Sequence, residues 1–137
     1  MSLKLLLVRD GEVLFEIPLA TESWPREQLK EELAELEGDF EQFSKFFSAL
    51  SNAVRLRMMK RLFEDEDQRM GFADFMKELD LNPKIVWEST RKLTDSGLLM
   101  KSEDGKYLCS QLGQAEFLMV SLALKRLLRA LQSLDEY

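Results

Sequence analysis

FADFMKELDLNPKIVWESTRKLTDSGLLMKSEDGKYLCSQLG, residues 72–113, is the stretch that decides the fold, because two helices, a turn and a two-stranded ribbon follow one another within it. In its first part, Phe72, Phe75, Met76 and Leu79 occupy the i, i+3, i+4 and i+7 positions of a helix. This spacing predicts an apolar helix face that packs against a core, with the polar residues in water.

The residues after this helix predict a short turn and a second helix. Asn82 can accept a hydrogen bond from the free backbone donors of a helix that begins at Pro83, and proline suits the first helical position. We expect the second helix to end at residues 95–97, where Gly97 is placed for a left-handed cap.

Two short strands are predicted beyond the second helix. Residues 98–101 and 106–109 flank Glu103-Asp104-Gly105, in which Asp-Gly is a strong signal for a tight turn. A helix, a turn, a second helix and a ribbon in this order predict a winged helix-turn-helix, with the ribbon as the wing.

The length and composition of the chain fit a single folded domain. A chain of 137 residues can bury roughly two-thirds of its unfolded surface, so its core needs no metal or disulfide. No apolar run approaches the roughly 20 residues that a bilayer helix requires, and the first residues lack the zones of a signal peptide. We therefore expect no membrane partner and a cytoplasmic location.

The chain contains no histidine and one cysteine. Without histidine it lacks the commonest general base and transition-metal ligand, which excludes Ser-His-Asp and Cys-His catalysis. We expect that the protein is not an enzyme and has no catalytic residue, metal site or cofactor. Cys109 reads as a partly buried structural thiol in a strand, with a redox sensor as the alternative.

Acidic residues are concentrated at the front of the chain. Residues 1–50 hold 5 Lys or Arg against 11 Asp or Glu, whereas residues 51–115 hold 11 against 11 and residues 116–137 hold 3 against 3. The predicted winged helix-turn-helix is thus neutral, although a nucleic-acid binder normally has a basic face. DNA binding then requires basic side chains to gather on one side, away from the acids at 64–67. The candidates are Arg55, Arg57, Lys60, Arg61, Lys84, Arg91, Lys92, Lys101 and Lys106.

Residues 1–20 predict a β-hairpin. The apolar runs at residues 3–8 and 12–17 flank Asp10-Gly11, a two-residue turn signal. If side chains simply alternate along the second strand, Glu12, Leu14 and Glu16 lie on one face. The other face then carries Val13, Phe15, Ile17 and Leu19. At least one of these faces must pack against something.

Residues 21–50 predict one acidic amphipathic helix of roughly seven turns, because apolar residues follow a heptad spacing from Pro25 onward. These residues are Leu29, Leu33, Leu36, Phe40, Phe43, Phe47 and Leu50. The outer face carries Glu27, Glu31 and Glu35. It is either the solvated face of a core helix or a surface that receives a basic protein partner or mimics nucleic acid.

A second heptad stripe predicts a C-terminal dimerisation helix over residues 114–137, with the preceding winged helix-turn-helix over residues 51–113. Its members are Phe117, Val120, Leu124, Leu127, Leu131 and Leu134. We expect a homodimer in which these helices pack across a two-fold axis, placing two DNA-reading helices about 34 Å apart. Pairing of the two long helices within one chain is the alternative.

LSNAVRLRMM at residues 50–59, the helix-turn-helix and YLCSQLG at residues 107–113 resemble the ArsR-type winged-helix transcription regulators, especially the archaeal-looking ones. The resemblance covers about residues 44–134. It implies DNA binding and a closing dimer helix that begins at a serine or threonine three residues before a glycine, which Ser110 and Gly113 match. Ala53 stands where the family often has proline. The first helix of the motif lacks the family's cysteine and histidine pattern, so no metal site carries over.

The second helix of the motif has two faces. Val86, Thr90 and Leu93 are predicted to face the core, which turns the other side toward a DNA groove. The expected DNA-binding residues on that side are Lys84, Trp87, Glu88 and Arg91. As alternatives, Glu88 pairs with Arg91 or Lys92 on the helix surface, and Trp87 turns into the core or meets a protein partner.

The wing offers two further candidate contacts. Lys101 and Lys106 flank the turn and can reach backbone phosphate, whereas Glu103 and Asp104 oppose deep insertion into a minor groove.

The whole pattern predicts a mainly α fold with small β: a winged helix-turn-helix with an N-terminal β-hairpin and long N- and C-terminal helices. We expect a homodimeric regulator of transcription that binds double-stranded DNA. The alternative is a protein-protein interaction module that uses the acidic helix and the neutral winged domain.

Overall fold

A computed structural model describes residues 3–135 of the chain, and expectations that fall on residues 1, 2, 136 and 137 lie outside the described residues. The described part is mainly helical with two small antiparallel sheets. It forms two compact units, of which the first ends at Glu41 and the second begins at Gln42. No helix of residues 3–135 has the length and apolar character needed to cross a membrane.

The first unit opens with the predicted β-hairpin. Strands β1 (Lys4–Arg9) and β2 (Glu12–Pro18) pair antiparallel, and a short 3₁₀ turn follows at Thr21–Ser23. Asp10 and Gly11 both have positive φ, 51° and 84°. Two such residues in succession form the turn type whose twist matches that of the flanking strands, so the Asp10-Gly11 prediction is confirmed.

The predicted faces of β2 are wrong at one position, because the strand contains a bulge. Leu7 pairs with Phe15 but Val8 pairs with Val13, so Leu14 has no partner opposite it. Paired residues share a face, and successive residues of β1 alternate between faces. Val13 therefore lies on the opposite face from Phe15.

The predicted single helix over residues 21–50 is also wrong. Helix α1 (Arg26–Glu37) ends before α2 (Phe40–Leu50) begins. At the junction the N–H of Gly38 donates to Glu35 O at 3.1 Å. Asp39 N–H donates to Leu36 O at 2.9 Å, so the last turn tightens to i→i−3 bonding. Glycine is a poor helix former, which favours a break at this point.

The second unit is built on three helices after α2: α3 (Ala53–Glu64), α4 (Phe72–Leu79) and α5 (Pro83–Asp95). The predicted boundaries are confirmed. Asn82 Oδ1 accepts the Ile85 N–H at 2.9 Å, and Gly97 has φ +86° beyond the end of α5. The buried core, which these helices line, contains Ala49, Met58, Met59, Leu62, Met70, Phe75, Val86, Leu93, Leu98, Leu99, Tyr107, Cys109 and Phe117.

The predicted ribbon is present but shorter than expected. Strands β3 (Met100–Lys101) and β4 (Tyr107–Leu108) pair antiparallel, while Leu98 and Leu99 are buried before β3 begins. Tyr107 also exchanges backbone hydrogen bonds of 2.8 and 3.1 Å with Met70. β4 is therefore held on both sides, which fixes the ribbon to the segment that precedes α4.

The C-terminal helix contains an interruption that the heptad pattern did not reveal. Helix α6 (Gln111–Leu118) continues through a π-helical segment, Met119–Ala123, into α7 (Leu124–Asp135). Ser121 Oγ donates to Phe117 O at 2.6 Å, so a side chain joins the backbone hydrogen bonding at the start of this segment. A π turn contains more residues than an α turn, so the stripe before and after it cannot share one face.

Candidate nucleic-acid interface

Helix α5 presents the faces that the sequence predicts. Val86, Thr90 and Leu93 are buried, and Ser89, which the sequence reading did not assign, is buried beside them. The predicted outward residues Lys84, Trp87, Glu88 and Arg91 are all exposed. Trp87 has 54% of its surface exposed, which excludes its alternative place in the core.

The outer face of α5 is held by a well-bonded frame. At the end of α4, Asp80 adopts a left-handed conformation with φ 52°, and Leu81 N–H donates to Met76 O at 3.0 Å. Within α5 the buried Thr90 hydroxyl donates to Val86 O at 2.8 Å. The turn and the buried Thr90 hydroxyl therefore both have hydrogen-bond partners.

Trp87, Arg91 and Asp95 form a row along the exposed side of α5. The guanidinium carbon of Arg91 lies 5.1 Å from the centroid of the Trp87 ring, and Arg91 Nε is 4.0 Å from Asp95 Oδ2. Within residues 3–135 Glu88 has no cationic group within salt-bridge distance. The expected surface pair of Glu88 with Arg91 or Lys92 therefore does not form, since Arg91 turns toward Asp95.

A shallow groove of about 200 Å³ separates the outer face of α5 from the β3–β4 ribbon. It brings together three of the predicted DNA-binding residues, Trp87, Arg91 and Lys101, and Lys101 Nζ lies 5.7 Å from the centroid of the Tyr107 ring. Its complete lining is Trp87, Thr90, Arg91, Thr94, Asp95, Lys101 and Tyr107. Lys84 and Lys106 do not line it. The sequence reading missed Asp95 and Tyr107, which it placed in a helix end and a strand.

Asp104, in the turn of the ribbon, is held by local hydrogen bonds and lies near one cation. Asp104 accepts hydrogen bonds from the Ser102 hydroxyl and from the Lys106 N–H, the latter at 3.0 Å, and lies 3.4 Å from Arg69. The Ser102 hydrogen bond, together with the Lys106 N–H and the Arg69 charge, lowers the pKa of Asp104 below its ordinary value. Asp104 is thus an ionised carboxylate that organises the turn. Of the two acids expected to oppose DNA, only Glu103 is left without this local compensation.

The nine basic residues named from the sequence do not all gather on one face. Arg55 is buried, with Nε 2.6 Å from Ala49 O and Nη2 2.9 Å from Ser48 O at the end of α2. Arg61 pairs with Glu78 at 2.6 Å, and Lys60 pairs with Glu64 at 3.0 Å. These three cations are committed to structural contacts, which is a correction to the predicted basic face.

Lys84 and Lys106 have no carboxylate within 4.0 Å among the described residues. Neither side chain is therefore committed to an ion pair within that part of the chain. Together with Arg91 and Lys101 they form the cationic part of what we call the α5 face: Lys84, Trp87, Glu88, Arg91 and Lys101, with Lys106 at the foot of the ribbon turn.

The C-terminal stripe divides at the π segment. Phe117 is only 8% exposed and packs edge-on against Phe63, with ring centroids 5.1 Å apart, so it belongs to the core of its own unit. Val120 is partly buried. The exposed remainder of the stripe, which we call the α7 stripe, consists of Leu124, Leu127, Leu131 and Leu134.

No family model matches this chain, and no curated protein matches it either. Within residues 3–135 no group of three or more His, Cys, Asp or Glu side chains is placed to hold a metal ion.

Proposed function

We propose that the chain is a regulator of transcription that binds double-stranded DNA through a winged helix-turn-helix. In this proposal α4 and α5 are the helix-turn-helix, α5 enters the major groove, and the β3–β4 ribbon is the wing. The observation that carries the proposal is the α5 face, where Lys84, Trp87 and Arg91 project from a helix whose opposite side is buried.

The chemistry of this face suits a DNA duplex. Arg91 has a planar guanidinium that can bond to the O6 and N7 atoms of guanine, and the Trp87 ring beneath it limits the directions in which it points. Lys84 lies in the first turn of α5 and Lys101 lies in β3, at the two ends of a surface that can meet phosphates. The neutral net charge of the unit matters less than this local arrangement, because charges beyond about 8 Å are screened at physiological salt.

The proposed regulator is a homodimer that pairs through the α7 stripe. Its four leucines are each exposed by more than a third, although burying one leucine side chain stabilises a protein by about 1.5–3 kcal/mol. Heptad spacing suits a second helix of the same kind, and a two-fold pairing supplies the two α5 helices that a palindromic DNA site needs.

The deciding experiment is titration of fluorescent duplex DNA with the full chain over a series of salt concentrations. We expect binding that weakens steeply with salt, since each phosphate contact contributes about 0.9 to the slope of log K against log salt. The double variant Lys84→Ala/Arg91→Ala should lower that slope by about 0.9, because Lys84 is the phosphate contact, and should weaken binding further because the Arg91 contact to guanine is lost.

The matched control is the double variant Lys30→Ala/Lys60→Ala, which removes the same charge from α1 and α3. Lys60 is already paired with Glu64, and Lys30 lies 3.9 Å from Glu27. If the control weakens binding as much as the α5 variant, attraction is only a matter of net charge and the assignment of α5 fails. If no duplex binds at low salt, the proposal fails altogether.

The dimer is tested separately by sedimentation at micromolar concentration. We expect one dimeric species for the wild type and a dissociation constant raised by about tenfold or more for Leu127→Glu/Leu131→Glu, in which two carboxylates would meet their copies across the axis. The control is Leu122→Glu, an exposed leucine of the π segment outside the α7 stripe. A wild-type monomer would overturn this part of the proposal.

A protein-interaction module is the second candidate, and the surface of α1 favours it. No residue of α1 is buried. The helix carries five acids against two bases, Arg26 and Lys30, and also exposes Leu33 and Leu36. An acidic helix with exposed apolar residues suits a basic partner surface. The salt titration distinguishes the two functions, because a module of this kind requires no affinity for duplex DNA.

A further inference from the structure

We propose that the hairpin is a second self-association surface, in which the free edge of β1 pairs antiparallel with the same edge of a second copy. The product is a four-stranded sheet in the order β2, β1, β1 of the partner subunit and β2 of the partner subunit. Its two-fold axis passes beside Leu6. This inference goes beyond the proposed DNA binding and does not depend on it.

The outer edge of β1 presents unpaired backbone groups. β1 has β2 as its one neighbour among the described strands. Leu19 N–H donates to Leu3 O at 2.9 Å, so the backbone of Leu3 points toward β2. Because this direction alternates along an antiparallel strand, the N–H and C=O groups of Lys4, Leu6 and Val8 point away from β2. A strand in this state is a template for another strand.

The two edges of the hairpin differ, and the differences favour β1 as the edge that pairs with a second copy. The β2 edge carries the bulge at Leu14 and ends at Pro18, which has no N–H to donate. It also contains Glu12 and Glu16, which would repel their copies. Bulges, prolines and charges are the features by which natural sheets protect their edges. β1 has none of these between Lys4 and Arg9: its central residues Leu5, Leu6, Leu7 and Val8 form an unbroken apolar run.

The edge of β1 fits a second copy of itself. With Leu6 opposite Leu6 of the partner subunit, Lys4 lies opposite Val8 of the partner subunit and Leu5 lies opposite Leu7 of the partner subunit. No two cations oppose one another, and Lys4 keeps its 3.5 Å contact with Glu16. The outward groups of Lys4, Leu6 and Val8 are then all used, giving about six backbone hydrogen bonds between the two chains.

Pairing of this kind also accounts for the exposed apolar side chains of the hairpin. Leu6, Leu7 and Val8 are each about half exposed, at 49%, 47% and 51%. An isolated two-stranded hairpin is marginal in water, whereas a sheet of three or more strands with an apolar face is stable. Self-pairing extends the sheet to four strands and places leucines beside leucines across the new boundary.

Cysteine cross-linking in the full chain tests the register. Opposed residues in a hydrogen-bonded antiparallel pair have Cα atoms about 5.5 Å apart, within the range that a disulfide spans. We expect Leu6→Cys to form a covalent dimer under mild oxidation. Leu14→Cys, with similar exposure on the β2 edge, should remain monomeric on a denaturing gel. The wild type, whose one thiol is buried, controls for Cys109.

Mixing Lys4→Cys chains with Val8→Cys chains of a different mass sharpens the test. We expect the mixed disulfide to exceed both self-linked products several-fold, since residues 4 and 8 oppose each other but not themselves. Cross-linking in Leu6→Cys should persist when Leu127→Glu/Leu131→Glu is added. That result would show that pairing of the hairpins does not depend on the α7 stripe. The proposal is overturned if Leu6→Cys and Leu14→Cys form disulfide-linked dimers equally, or if the introduced thiol at position 6 stays reduced. The β1 edge would then be available to a strand of another protein.

Discussion

Arg91 stacks on Trp87 one turn earlier on the outer face of α5, with its guanidinium carbon 5.1 Å from the ring centroid. Asp95, one turn later, lies 4.0 Å from Arg91 Nε, so the guanidinium is restrained both by the ring and by a carboxylate. An arginine that is ordered before a ligand arrives loses less freedom on binding. The stacking therefore makes Trp87 a positioning residue for Arg91 in the proposed DNA complex.

Replacing Trp87 by alanine should weaken duplex binding without changing its salt dependence. The lost stacking is worth about 0.5–2 kcal/mol, which corresponds to a roughly 2- to 30-fold loss of affinity. Lys84→Ala, which removes a phosphate contact, should instead lower the salt slope by about 0.9. Both quantities come from the same fluorescence titration. A change of slope in Trp87→Ala equal to that in Lys84→Ala would contradict the positioning role, and Trp87→Phe should retain most of the affinity.

Gly113→Ala should destabilise the protein, although alanine is normally the better helix former by about 1 kcal/mol. A Cβ at position 113 would lie 2.7 Å from the Leu98 carbonyl oxygen, a backbone atom next to the buried start of the ribbon. Relief of such a contact costs about 1–3 kcal/mol, so the clash outweighs the propensity. Urea unfolding measures the difference.

The control for this variant is Gly38→Ala, at the end of α1, where the added Cβ would lie 3.3 Å from Glu35 O. Gly38 already has right-handed helical angles, so we expect a change within about 1 kcal/mol of either sign. Equal unfolding midpoints for Gly113→Ala and the wild type would show that α6 moves away from Leu98 at no cost.

Arg55→Met should lower the free energy of unfolding by about 2–4 kcal/mol, because two charge-assisted hydrogen bonds to the end of α2 are lost and the Ala49 carbonyl is left without its side-chain donor. These bonds join Arg55 to Ala49 O at 2.6 Å and to Ser48 O at 2.9 Å. The control is Arg57→Met, an exposed arginine of the same helix. Urea unfolding of both variants checks the prediction, and equal effects would contradict the capping role.

The parts of the fold that short-range signals govern were predictable from the sequence. Asp10-Gly11 takes positive φ at both residues, and Asn82 caps the helix that Pro83 begins. Ser110 Oγ likewise accepts the Gly113 N–H at 3.0 Å at the start of α6. Each of these depends on a few adjacent residues, so the sequence carries the whole signal.

The interruptions were not predictable, because heptad spacing does not distinguish a straight helix from a broken one. The stripe through Gly38 and the stripe through Phe117 both keep their 3–4 spacing across a break. Phe117 leaves its stripe to pack against Phe63, a residue more than 50 positions earlier. Tertiary packing decides such cases, and a periodic pattern alone does not record it.

The candidate site likewise has one part that the sequence predicts and one part that it does not. The inward and outward residues of α5 follow from helical periodicity alone, and the predicted burial and exposure are observed in that helix. Arg55 and Arg57, by contrast, look alike in sequence, yet Arg55 is buried against the end of α2 while Arg57 is exposed. The positions of carbonyls and carboxylates on other elements determine which cationic side chains can still bind a ligand.

The free energy of unfolding should depend on pH partly through the titration of the Cys109 thiol. Burial raises the pKa of its thiol from 9.0 to about 11. The folded state therefore holds the proton more tightly than the unfolded state, so the thiol's contribution is fully present below about pH 9 and is lost as the pH rises toward 11.

Unfolding in urea from pH 7.5 to 10.5 should therefore bring the wild type and Cys109→Ala together as the pH rises above about 9, whereas their difference should stay constant below it. Comparing the two chains cancels the titration of lysines and tyrosines that they share. The wild-type thiol should also react with a thiol reagent only slowly at neutral pH, because it is both protonated and buried. Parallel stability curves over the whole range, with rapid modification at neutral pH, would show that the thiol is accessible and would restore a redox sensor as the interpretation of Cys109.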